Sequence, residues 1–233
     1  MVIKDQQRSI IIEFPLRGEW QAPTTPVKKI PSQGTNRMGL RFAFDFVQVD
    51  WEKERKPFYN TSFTRYFFFG VPLDKCYGWG KPIFAPCDGE IVTIRDGIPE
   101  RAVVHWIVDS AIAIKNANSF NEYNDDFSKI AGNYLVLKCQ NNIYMAFAHL
   151  QTNSIKGVVG DRIKKGEKLG NVGHSGNSTS PHLHFQLMDS ADIAQSNGLP
   201  FLFEEYEVYR KGVWESVYNQ IPAHTDRIRF YKK

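Results

Sequence analysis

The sequence predicts a mainly β protein whose strands pair antiparallel. Short runs of β-branched and aromatic residues alternate with turns rich in Gly, Asn and Asp. Asp88 and Gly89 lie between two apolar runs in residues 82–94, and this dipeptide is typical of a tight hairpin. No long segment shows a convincing periodicity of an amphipathic helix. Short strands with few helices favour an antiparallel sheet.

In the first half of the chain, the apolar runs predict two strands. Residues 10–14 predict a short edge strand that ends at Pro15. Residues 15–36 hold several Pro, Gly, Thr and Ser residues and predict an extended arm over the surface. Residues 41–49 predict the second strand. The charged, aromatic and then Gly-rich residues 50–80 predict a loop that folds back on the core.

In the second half, two apolar runs separated by Cys-Gln-Asn-Asn predict another hairpin, over residues 133–138 and 143–150. Residues 160–170 alternate turns with short strands. The tail contains two further candidate strands, at residues 205–209 and 227–231.

These elements divide the chain into a core with appendages. A core over residues 37–190 follows an N-terminal arm of residues 1–36. Residues 191–233 form a C-terminal extension that is expected to pack on the core. Residues 95–130 interrupt the core as an insertion, which is rich in Val and Ile at first and polar later. A chain of 233 residues is long enough to bury such a core.

The composition is that of a soluble globular protein. Hydrophobic residues make up 42% of the chain and charged residues 23%, and aromatic residues at 14% suit a β-rich fold with a broad binding groove. The net charge is +4, but the charges are scattered, so no nucleic-acid partner is indicated. The positive net charge is compatible with binding to an anionic cell-wall polymer, but it does not specifically indicate such a ligand.

The cysteines and the N-terminal residues give information about the cellular compartment of the protein. Cys76, Cys87 and Cys139 have no metal-ligand spacing, and an odd number argues against a complete disulfide framework. Residues 1–8 lack the apolar stretch of a secretory signal, and no segment approaches the roughly 18 apolar residues that cross a membrane. The chain as given is therefore expected in the cytoplasm, or in the cell wall or outside the cell if it is exported by another route.

Residues 171–187 contain the strongest chemical signal. A loop of Gly, Ser, Asn and Pro leads into a predicted strand that carries His182 and His184. Because a strand sends alternate side chains to one face, both imidazoles point the same way, roughly 7 Å apart along the strand. Leu183 and Phe185 then point to the core. The alternative is a pair of exposed or hydrogen-bonded histidines without chemistry.

This segment resembles the signature of the lysostaphin and LytM-type zinc metallopeptidases, which cut peptide cross-links in bacterial peptidoglycan. The same small-residue loop precedes Pro-His-Leu-His-Phe in that family, although Ser180 stands where the family usually has Gly. The resemblance covers about residues 40–94 and 131–188. It implies an antiparallel β-sheet groove with a barrel-sandwich-hybrid-like core. Biotinyl and lipoyl carrier domains share such a core, but no hairpin tip here presents a lysine for modification.

The resemblance also implies a zinc site. His184 matches the last of the family's three protein ligands for Zn²⁺, and Asp45 matches the second. His149 and His182 match the catalytic histidines that orient the zinc-bound water, take its proton and steady the oxyanion. Without the resemblance, Asp45 would be an ordinary carboxylate near a strand end and His149 a lone core histidine.

Arg41 departs from the family pattern. It stands four residues before Asp45, where the family has its first histidine ligand. Arginine stays protonated and offers no lone pair to a metal. If its guanidinium points into the site, it forms a bidentate pair with Asp45 and repels Zn²⁺. Two ligands alone would hold zinc weakly, since catalytic sites supply three.

Other side chains could complete the ligand set if the arginine points elsewhere. Gln33 and Asn36 in the preceding arm offer amide oxygens, which are poor zinc ligands. His105 in the insertion and His174 in the signature loop could swing in, although His174 is expected to be solvated. His224 has no motif around it and is expected on the surface.

Further residues bear on the groove. Five aromatic residues precede the predicted hairpin and either wall the groove or belong to the core, namely Tyr59, Tyr66, Phe67, Tyr77 and Trp79. Asn133 and residues 173–179 resemble family positions that shape the groove.

The sequence therefore leaves two functions open. The first is a zinc metalloendopeptidase that hydrolyses peptide cross-links of peptidoglycan through a zinc-activated water. The second is an inactive homologue without zinc, which would use the groove to bind cell-wall peptide or a partner protein. A peptide ligand is expected for the enzyme, and the sequence does not indicate an oligomeric state.

Overall fold

A computed structural model describes residues 9–121 and 124–231 of the chain. The strands are β1 (Ile10–Ile12), β2 (Gly18–Thr24), β3 (Phe44–Val47), β4 (Val71–Pro72), β5 (Pro82–Phe84), β6 (Gly89–Arg95), β7 (Val103–Val104), β8 (Asn133–Lys138), β9 (Tyr144–Leu150), β10 (Arg162–Ile163), β11 (Lys168–Asn171), β12 (Leu183–Met188), β13 (Phe201–Arg210), β14 (Val213–Gln220) and β15 (Ile228–Phe230). The helices are α1 (Phe63–Phe69), α2 (Trp106–Ser119) and α3 (Ser128–Ala131), and short 3-10 turns lie at Leu40–Phe42, Leu73–Lys75 and Gln140–Asn142.

Most strands belong to one large sheet. Its neighbours run in the order β1-β13-β15-β2-β3-β12-β9-β8-β6-β10, and β14 also pairs with β13. β1 is parallel to β13, and the other pairs in this sheet are antiparallel. Two small sheets join β5 to β11 and β4 to β7. The prediction of a mainly β protein with antiparallel pairing is confirmed.

The core packs against one face of the central strands. Phe44 and Phe46 on β3, Phe185 on β12 and Phe203 on β13 are buried together, and the Phe44 and Phe203 rings are 5.6 Å apart. Burying one such side chain stabilises the fold by about 1.5–3 kcal/mol. Leu183 and Phe185 face this core as their alternation predicts. The residues between them on these strands are therefore directed to the opposite face, where the site lies.

The N-terminal segment contributes strands to the large sheet, including one inside it that the sequence does not predict. β1 stands at the end of the strand order, as expected for an edge strand, but residues 18–24 form β2 between β15 and β3. Trp20 and Ala22 alternate into the core and are fully buried. The prediction that residues 15–36 form a surface arm is therefore wrong for this segment. Two inward positions before Pro23 are too short a pattern to predict a central strand.

The prediction of a hairpin over residues 82–94 is also wrong. β5 pairs with β11, whereas β6 pairs with β8 and β10. Asp88 instead holds a neighbouring loop, because its Oδ1 accepts a hydrogen bond from the Lys165 backbone N–H at 2.8 Å and its Oδ2 accepts one from Lys164 Nζ at 2.9 Å. β5 and β6 therefore pair with strands that are distant in the sequence and not with each other, although the Asp88-Gly89 dipeptide between them is typical of a hairpin turn.

The remaining strand predictions are confirmed, except that the strand predicted over residues 41–49 is shorter and forms β3 from Phe44 to Val47, after a 3-10 turn that contains Arg41. β8 and β9 form the hairpin predicted over residues 133–138 and 143–150. Residues 160–170 contain β10 and β11, and the tail supplies β13 and β15 at the predicted places. β14 was not predicted.

The helices were missed by the sequence analysis. α1 lies within residues 50–80, which were predicted as a loop, α2 lies within the insertion of residues 95–130, and α3 begins at its end. On α2 the side chains of Ile107, Val108 and Ile114 are exposed. Because these apolar residues are not gathered on a buried stripe, the helix leaves no amphipathic pattern in the sequence.

The cysteines pair in part. Cys87 and Cys139 form a disulfide, and Cys76 is a buried free thiol. The protein therefore contains one disulfide, which was not predicted from its odd number of cysteines. Within the described ranges, no helix is long and apolar enough to span a membrane.

Candidate active site

Asp45 and His184 meet on neighbouring strands. They are directly paired in the register of β3 and β12, and side chains at paired positions lie on the same face of a sheet. His184 Nδ1 lies 2.9 Å from Asp45 Oδ1. Burial opposes the charge on Asp45, but the hydrogen bond with His184 and electrostatic interactions with His182 and His184 hold the pKa of this carboxyl well below its usual range.

Gln186 sets the protonation of the His184 ring. Its Nε2 donates to the Met38 carbonyl at 2.7 Å, so its Oε1 faces His184 Nε2 at 2.8 Å. An amide oxygen only accepts, and His184 Nε2 therefore carries a proton. Nδ1 is left facing Asp45. Burial alone would lower the pKa of His184, but the hydrogen bond and charge of Asp45 raise it above its ordinary value.

His149 and His182 lie beside this pair. β9 is the other neighbour of β12, and the ring centroids of the two histidines are 4.6 Å apart. His149 has a positive φ of 61° near the end of β9, a conformation that is uncommon for residues other than glycine and that re-aims its side chain. His182 Nε2 lies 3.7 Å from Asp45 Oδ1.

Both of these histidines present an unprotonated Nε2. Nδ1 of His149 lies 3.0 Å from the Ser175 carbonyl oxygen, and Nδ1 of His182 lies 2.6 Å from the Ser180 carbonyl oxygen. Each Nδ1 must donate to its carbonyl, so in the neutral ring the lone pair is on Nε2. Burial lowers the pKa of His149, and the neighbouring histidines lower it further. Burial also lowers the pKa of His182, although Asp45 opposes the shift.

These side chains share one cavity. Its volume is about 300 Å³, and it is lined by Asp45 and the three histidines together with residues from the arm, the insertion and the signature loop. Leu40, Phe127 and Ile130 provide the larger apolar part of its wall. None of the three was predicted from the sequence, since their approach depends on the 3-10 turn before β3 and on the end of the insertion.

The family model for peptidase family M23 matches residues 73–196, which is more than half of the chain. The chain belongs to peptidase family M23. The matched range contains His149, His182 and His184 and begins after Asp45.

Curated relatives include endopeptidases that are longer than this chain. Peptidoglycan DD-endopeptidase ShyC of Vibrio cholerae is 30% identical over 105 residues, covering 44% of this chain and 22% of ShyC. ShyB, a peptidoglycan DD-endopeptidase of the same organism, is 39% identical over 136 residues, covering 54% of this chain and 28% of ShyB. The glycyl-glycine endopeptidase ALE-1 of Staphylococcus capitis is 41% identical over 58 residues, covering 24% of this chain and 16% of ALE-1. This chain therefore matches about a quarter of the two Vibrio proteins.

Among solved structures, the catalytic domain of the antimicrobial peptidase lysostaphin from Staphylococcus simulans aligns with a TM-score of 0.38. It is 18% identical, and the alignment covers 78% of this chain and 88% of that chain.

Arg41 does not enter the site of this M23 protein. It lies in the 3-10 turn before β3 with an exposed side chain, and its Nη1 donates to Asn36 Oδ1 at 2.5 Å. The bidentate pair between Arg41 and Asp45, which was one possibility from the sequence, is not formed. Because the residue belongs to the turn rather than to the strand, its side chain does not follow the alternation that directs Asp45 inward.

Gln33 comes close to Asp45 and His184 instead. Its Nε2 donates to Asp45 Oδ2 at 2.7 Å and lies 3.5 Å from His184 Nδ1. A half-turn of the amide would direct its oxygen to the same place. Asn36, the other amide considered from the sequence, is bonded to Arg41 and does not line the cavity.

The donors of Asp45 and His184 fit a bound cation. If His184 is neutral, its Nδ1 lone pair and the carboxylate oxygen face each other across 2.9 Å, which requires a proton or a cation between them. The N–H of His184 that points to Gln186 is the outer hydrogen bond by which metal-bound histidines are usually oriented. Over residues 9–121 and 124–231, His, Cys, Asp and Glu side chains form no group of three that could hold a metal ion. Gln33 therefore places a neutral amide beside a site in which two side chains, Asp45 and His184, could bind a metal ion.

The other histidines lie outside the cavity lining. His174 is fully buried, with its Nδ1 3.0 Å from Ser178 Oγ, so the prediction that it is solvated is wrong. His105 stands at the start of α2. His224 is exposed, as predicted.

The aromatic residues before β5 do not wall this cavity. Tyr59 is buried in a second cluster around Val71 and Leu73, against which Tyr66 and Trp79 pack. For these residues the core interpretation is correct. Two further aromatics lie elsewhere, with Phe67 exposed on α1 and the hydroxyl of Tyr77 bonded to Asp50 at 3.2 Å. Asn133 is fully buried, and its side chain donates to the Ile98 and Leu150 carbonyls.

Proposed function

We propose that this protein is a zinc-dependent endopeptidase that hydrolyses peptide cross-links of peptidoglycan. The observation that carries the proposal is the meeting, in one cavity, of a carboxylate–histidine pair with two histidines whose Nε2 atoms are free to take a proton. Membership of peptidase family M23 and the peptidoglycan endopeptidases among its relatives support the substrate class.

The metal would be held by Asp45 and His184. Gln33 would supply the third protein contact through its amide oxygen, in place of the family's first histidine. When bound, zinc lowers the pKa of a water to about 7 and so supplies a nucleophile at neutral pH.

His149 and His182 would handle the protons. Each accepts a proton at Nε2 because its Nδ1–H is already engaged by a backbone carbonyl. The same Nε2 can return that proton to the leaving amine. With ring centroids 4.6 Å apart, the two rings repel a second positive charge, so one proton is carried at a time.

The cavity wall would bind the peptide. Leu40, Phe127 and Ile130 offer apolar surface, while Asn177 and Thr179 on the signature loop offer polar groups near the histidines. A mixed lining of this kind suits a short peptide with small side chains, whose backbone requires hydrogen-bond partners.

We also infer that the protein acts outside the cytoplasm. Peptidoglycan lies there, and a disulfide such as Cys87–Cys139 persists in an oxidising compartment.

A peptidoglycan-binding homologue without zinc is the second candidate function. The observation that favours it is Arg41, which removes a histidine ligand from the site and leaves an amide near Asp45. The cavity would then bind a wall peptide without cutting it.

Zinc content and hydrolysis separate the two candidates. We expect protein purified without chelator to hold close to one equivalent of zinc, as a catalytic site requires, and to release new amino termini from cross-linked muropeptides. His184→Ala should lose both properties. His224→Ala removes an exposed histidine and is the matched control. Less than about a tenth of an equivalent of zinc, together with intact muropeptides, would overturn the enzyme, and muropeptide binding under those conditions would favour the second candidate.

Gln33 provides a test of the third contact. We expect Gln33→Ala to lower zinc affinity and Gln33→His to raise it, because an imidazole nitrogen is a better zinc ligand than an amide oxygen. A chelator competition titration measures both changes. Equal affinities in the three proteins would show that Gln33 does not contact the metal.

A further inference from the structure

The loop of residues 174–180 determines which ring nitrogen of His149 and His182 is basic. It supplies the Ser175 carbonyl to the first histidine at 3.0 Å and the Ser180 carbonyl to the second at 2.6 Å. If either carbonyl moves away, the corresponding ring loses the acceptor that keeps its proton on Nδ1. The position of the loop therefore bears directly on the chemistry of both rings.

Arg101, in the insertion, holds this loop. Its Nη1 donates to the Gly176 carbonyl at 3.0 Å, and its Nη2 donates to the Ser178 carbonyl at 2.6 Å. These two carbonyls lie between the two that contact the histidines. A guanidinium can bind two acceptors in a fixed geometry, which an ammonium cannot reproduce.

Asp109 orients the Arg101 side chain. It lies in the first turn of α2 and is almost fully buried, and its Oδ1 accepts a hydrogen bond from Arg101 Nε at 2.6 Å. Its Oδ2 accepts the His105 backbone N–H at 2.8 Å. The guanidinium therefore has its Nε fixed by α2 and its two terminal nitrogens directed at the loop.

A second chain of contacts reaches His182 from the same residues. Arg101 Nη2 lies 3.2 Å from His174 Nε2, and His174 Nδ1 lies 3.0 Å from Ser178 Oγ. Ser178 Oγ donates to the Ser180 carbonyl at 2.7 Å and lies 3.2 Å from His182 Nδ1. The serine thus contacts both the histidine and the carbonyl that orients it. This explains why His174 is buried without lining the cavity.

The end of the insertion packs on the other side of the loop. Gly132 and Gly176 approach so closely that a Cβ on Gly176 would lie 2.2 Å from the Gly132 nitrogen. The Asn177 backbone N–H donates to the Ile130 carbonyl at 2.8 Å. The loop is therefore fixed between Arg101 at one end of the insertion and the α3–β8 junction at the other.

We propose that Arg101 is a positioning residue, which holds the loop of residues 174–180 so that the Nε2 lone pairs of His149 and His182 face the cavity. The insertion of residues 95–130 thereby serves the site, although it supplies neither a proposed ligand nor a proposed catalytic group. The catalytic consequence rests on the proposed function. The tautomers are a property of the folded protein and can be measured whether or not it is an enzyme.

Nitrogen NMR of the histidine rings tests the proposal directly. In protein labelled with ¹⁵N-histidine, long-range ¹H–¹⁵N spectra show which ring nitrogen carries the proton. We expect His149 and His182 to be Nδ1–H in the wild type and to become mixtures of tautomers in Arg101→Ala. Arg95→Ala is the control, since Arg95 also pairs with an aspartate (Asp126, 2.9 Å) but is exposed. Unchanged tautomers in a folded Arg101→Ala would overturn the proposal.

Arg101→Lys keeps the proposal testable if the alanine variant does not fold. Lysine preserves the charge beside Asp109, but its single nitrogen cannot occupy the three positions from which Nε, Nη1 and Nη2 of Arg101 contact Asp109 and the two carbonyls. We expect mixed tautomers here too, with near-UV circular dichroism that matches the wild type. Wild-type spectra from folded Arg101→Lys would overturn the proposal equally.

Kinetics and zinc content then separate this inference from the proposed function. If the enzyme is active, we expect Arg101→Lys to lower kcat about tenfold to a hundredfold, the cost of a small misplacement of catalytic groups, with KM and zinc content unchanged. A fall in kcat without a change of tautomer would overturn the proposed role. An inactive wild type would overturn the proposed function and leave the NMR result to decide this inference.

Discussion

The two sides of the cavity are positioned by different parts of the chain. Asp45 and His184 lie on paired strands and contact each other directly, with Gln33 reaching them from the preceding arm. His149 and His182 depend on the carbonyls of one loop. We refer to these as the ligand side and the proton side.

The difference shows where this member of family M23 departs from the family pattern. On the ligand side, Arg41 stands where the family resemblance predicts a histidine, and it lies in an exposed 3-10 turn outside the sheet. On the proton side, the loop is bound by Arg101, by the Ile130 carbonyl and by the contact of Gly132 with Gly176. The two sides therefore differ in that side chains make the contacts on the ligand side, whereas backbone carbonyls make them on the proton side.

The largest expected effect separates catalysis from metal binding. We expect His182→Ala to lower the rate of muropeptide hydrolysis by about 10²- to 10⁴-fold, the usual contribution of a general acid or base. Its zinc content should match the wild type, because the change is on the proton side. Loss of zinc from His182→Ala, measured by elemental analysis, would show that the two sides are not separate.

An intermediate effect is expected on the ligand side. Gln186→Ala removes the acceptor that keeps the proton on His184 Nε2, and we expect zinc affinity to fall by about 10- to 100-fold. Gln220→Ala, which removes an exposed glutamine amide on β14, is the control. A chelator competition titration measures both variants, and unchanged affinity in Gln186→Ala would contradict the assignment of the His184 tautomer.

A smaller effect on acid stability is expected on the proton side. Burial opposes the charge on Asp109, but hydrogen bonds from His174 and the His105 N–H keep its pKa below the usual value. Its charge therefore contributes stability above the unfolded-state pKa of about 3.9, and this is lost as the pH falls through the folded-state value.

Asp109→Asn tests this contribution. We expect the variant to be less stable than the wild type at pH 7 and to depend less steeply on pH in the acid range below about pH 4, where the unfolded carboxyl titrates. Urea unfolding at several pH values measures both, with the exposed Asp74→Asn as control. Parallel curves for the wild type and Asp109→Asn would be inconsistent with a buried, paired carboxylate.

The smallest effect is expected at Arg41. Its side chain is exposed and bonded to Asn36, so we expect Arg41→Ala to change the free energy of unfolding by no more than about 0.5 kcal/mol. Zinc content should not change. A clear gain of zinc in Arg41→Ala would mean that the guanidinium opposes the metal in solution.

Much of the fold follows from local sequence, whereas parts of the site do not. The β8–β9 hairpin and the alternation that buries Phe185 while exposing His184 to the cavity are properties of short segments. The expectation that Asp45 would meet His184 came from the family resemblance, and the structure brings the two together. Neither prediction required knowing where residues that are distant in the sequence lie in the fold.

The approach of Gln33 and the burial of His174 could not be predicted in this way. His174 is buried beside Arg101, a residue 73 positions away in the sequence, whose Nη2 lies 3.2 Å from His174 Nε2. Gln33 reaches Asp45 only because the arm turns back over β3. α2 was missed because residues such as Ile107 remain exposed, so its sequence carries no helical stripe.

The close contact of Gly132 with Gly176 has a consequence for protein engineering. Two backbones that touch without side chains between them leave no room for independent variation at either position. We therefore expect that the signature loop could be transferred to another protein only together with the segment that runs from the insertion to Gly132. A chimera that receives the loop alone on another M23 scaffold would lack the partner against which the loop is folded, whereas a chimera that receives both segments would carry its own support.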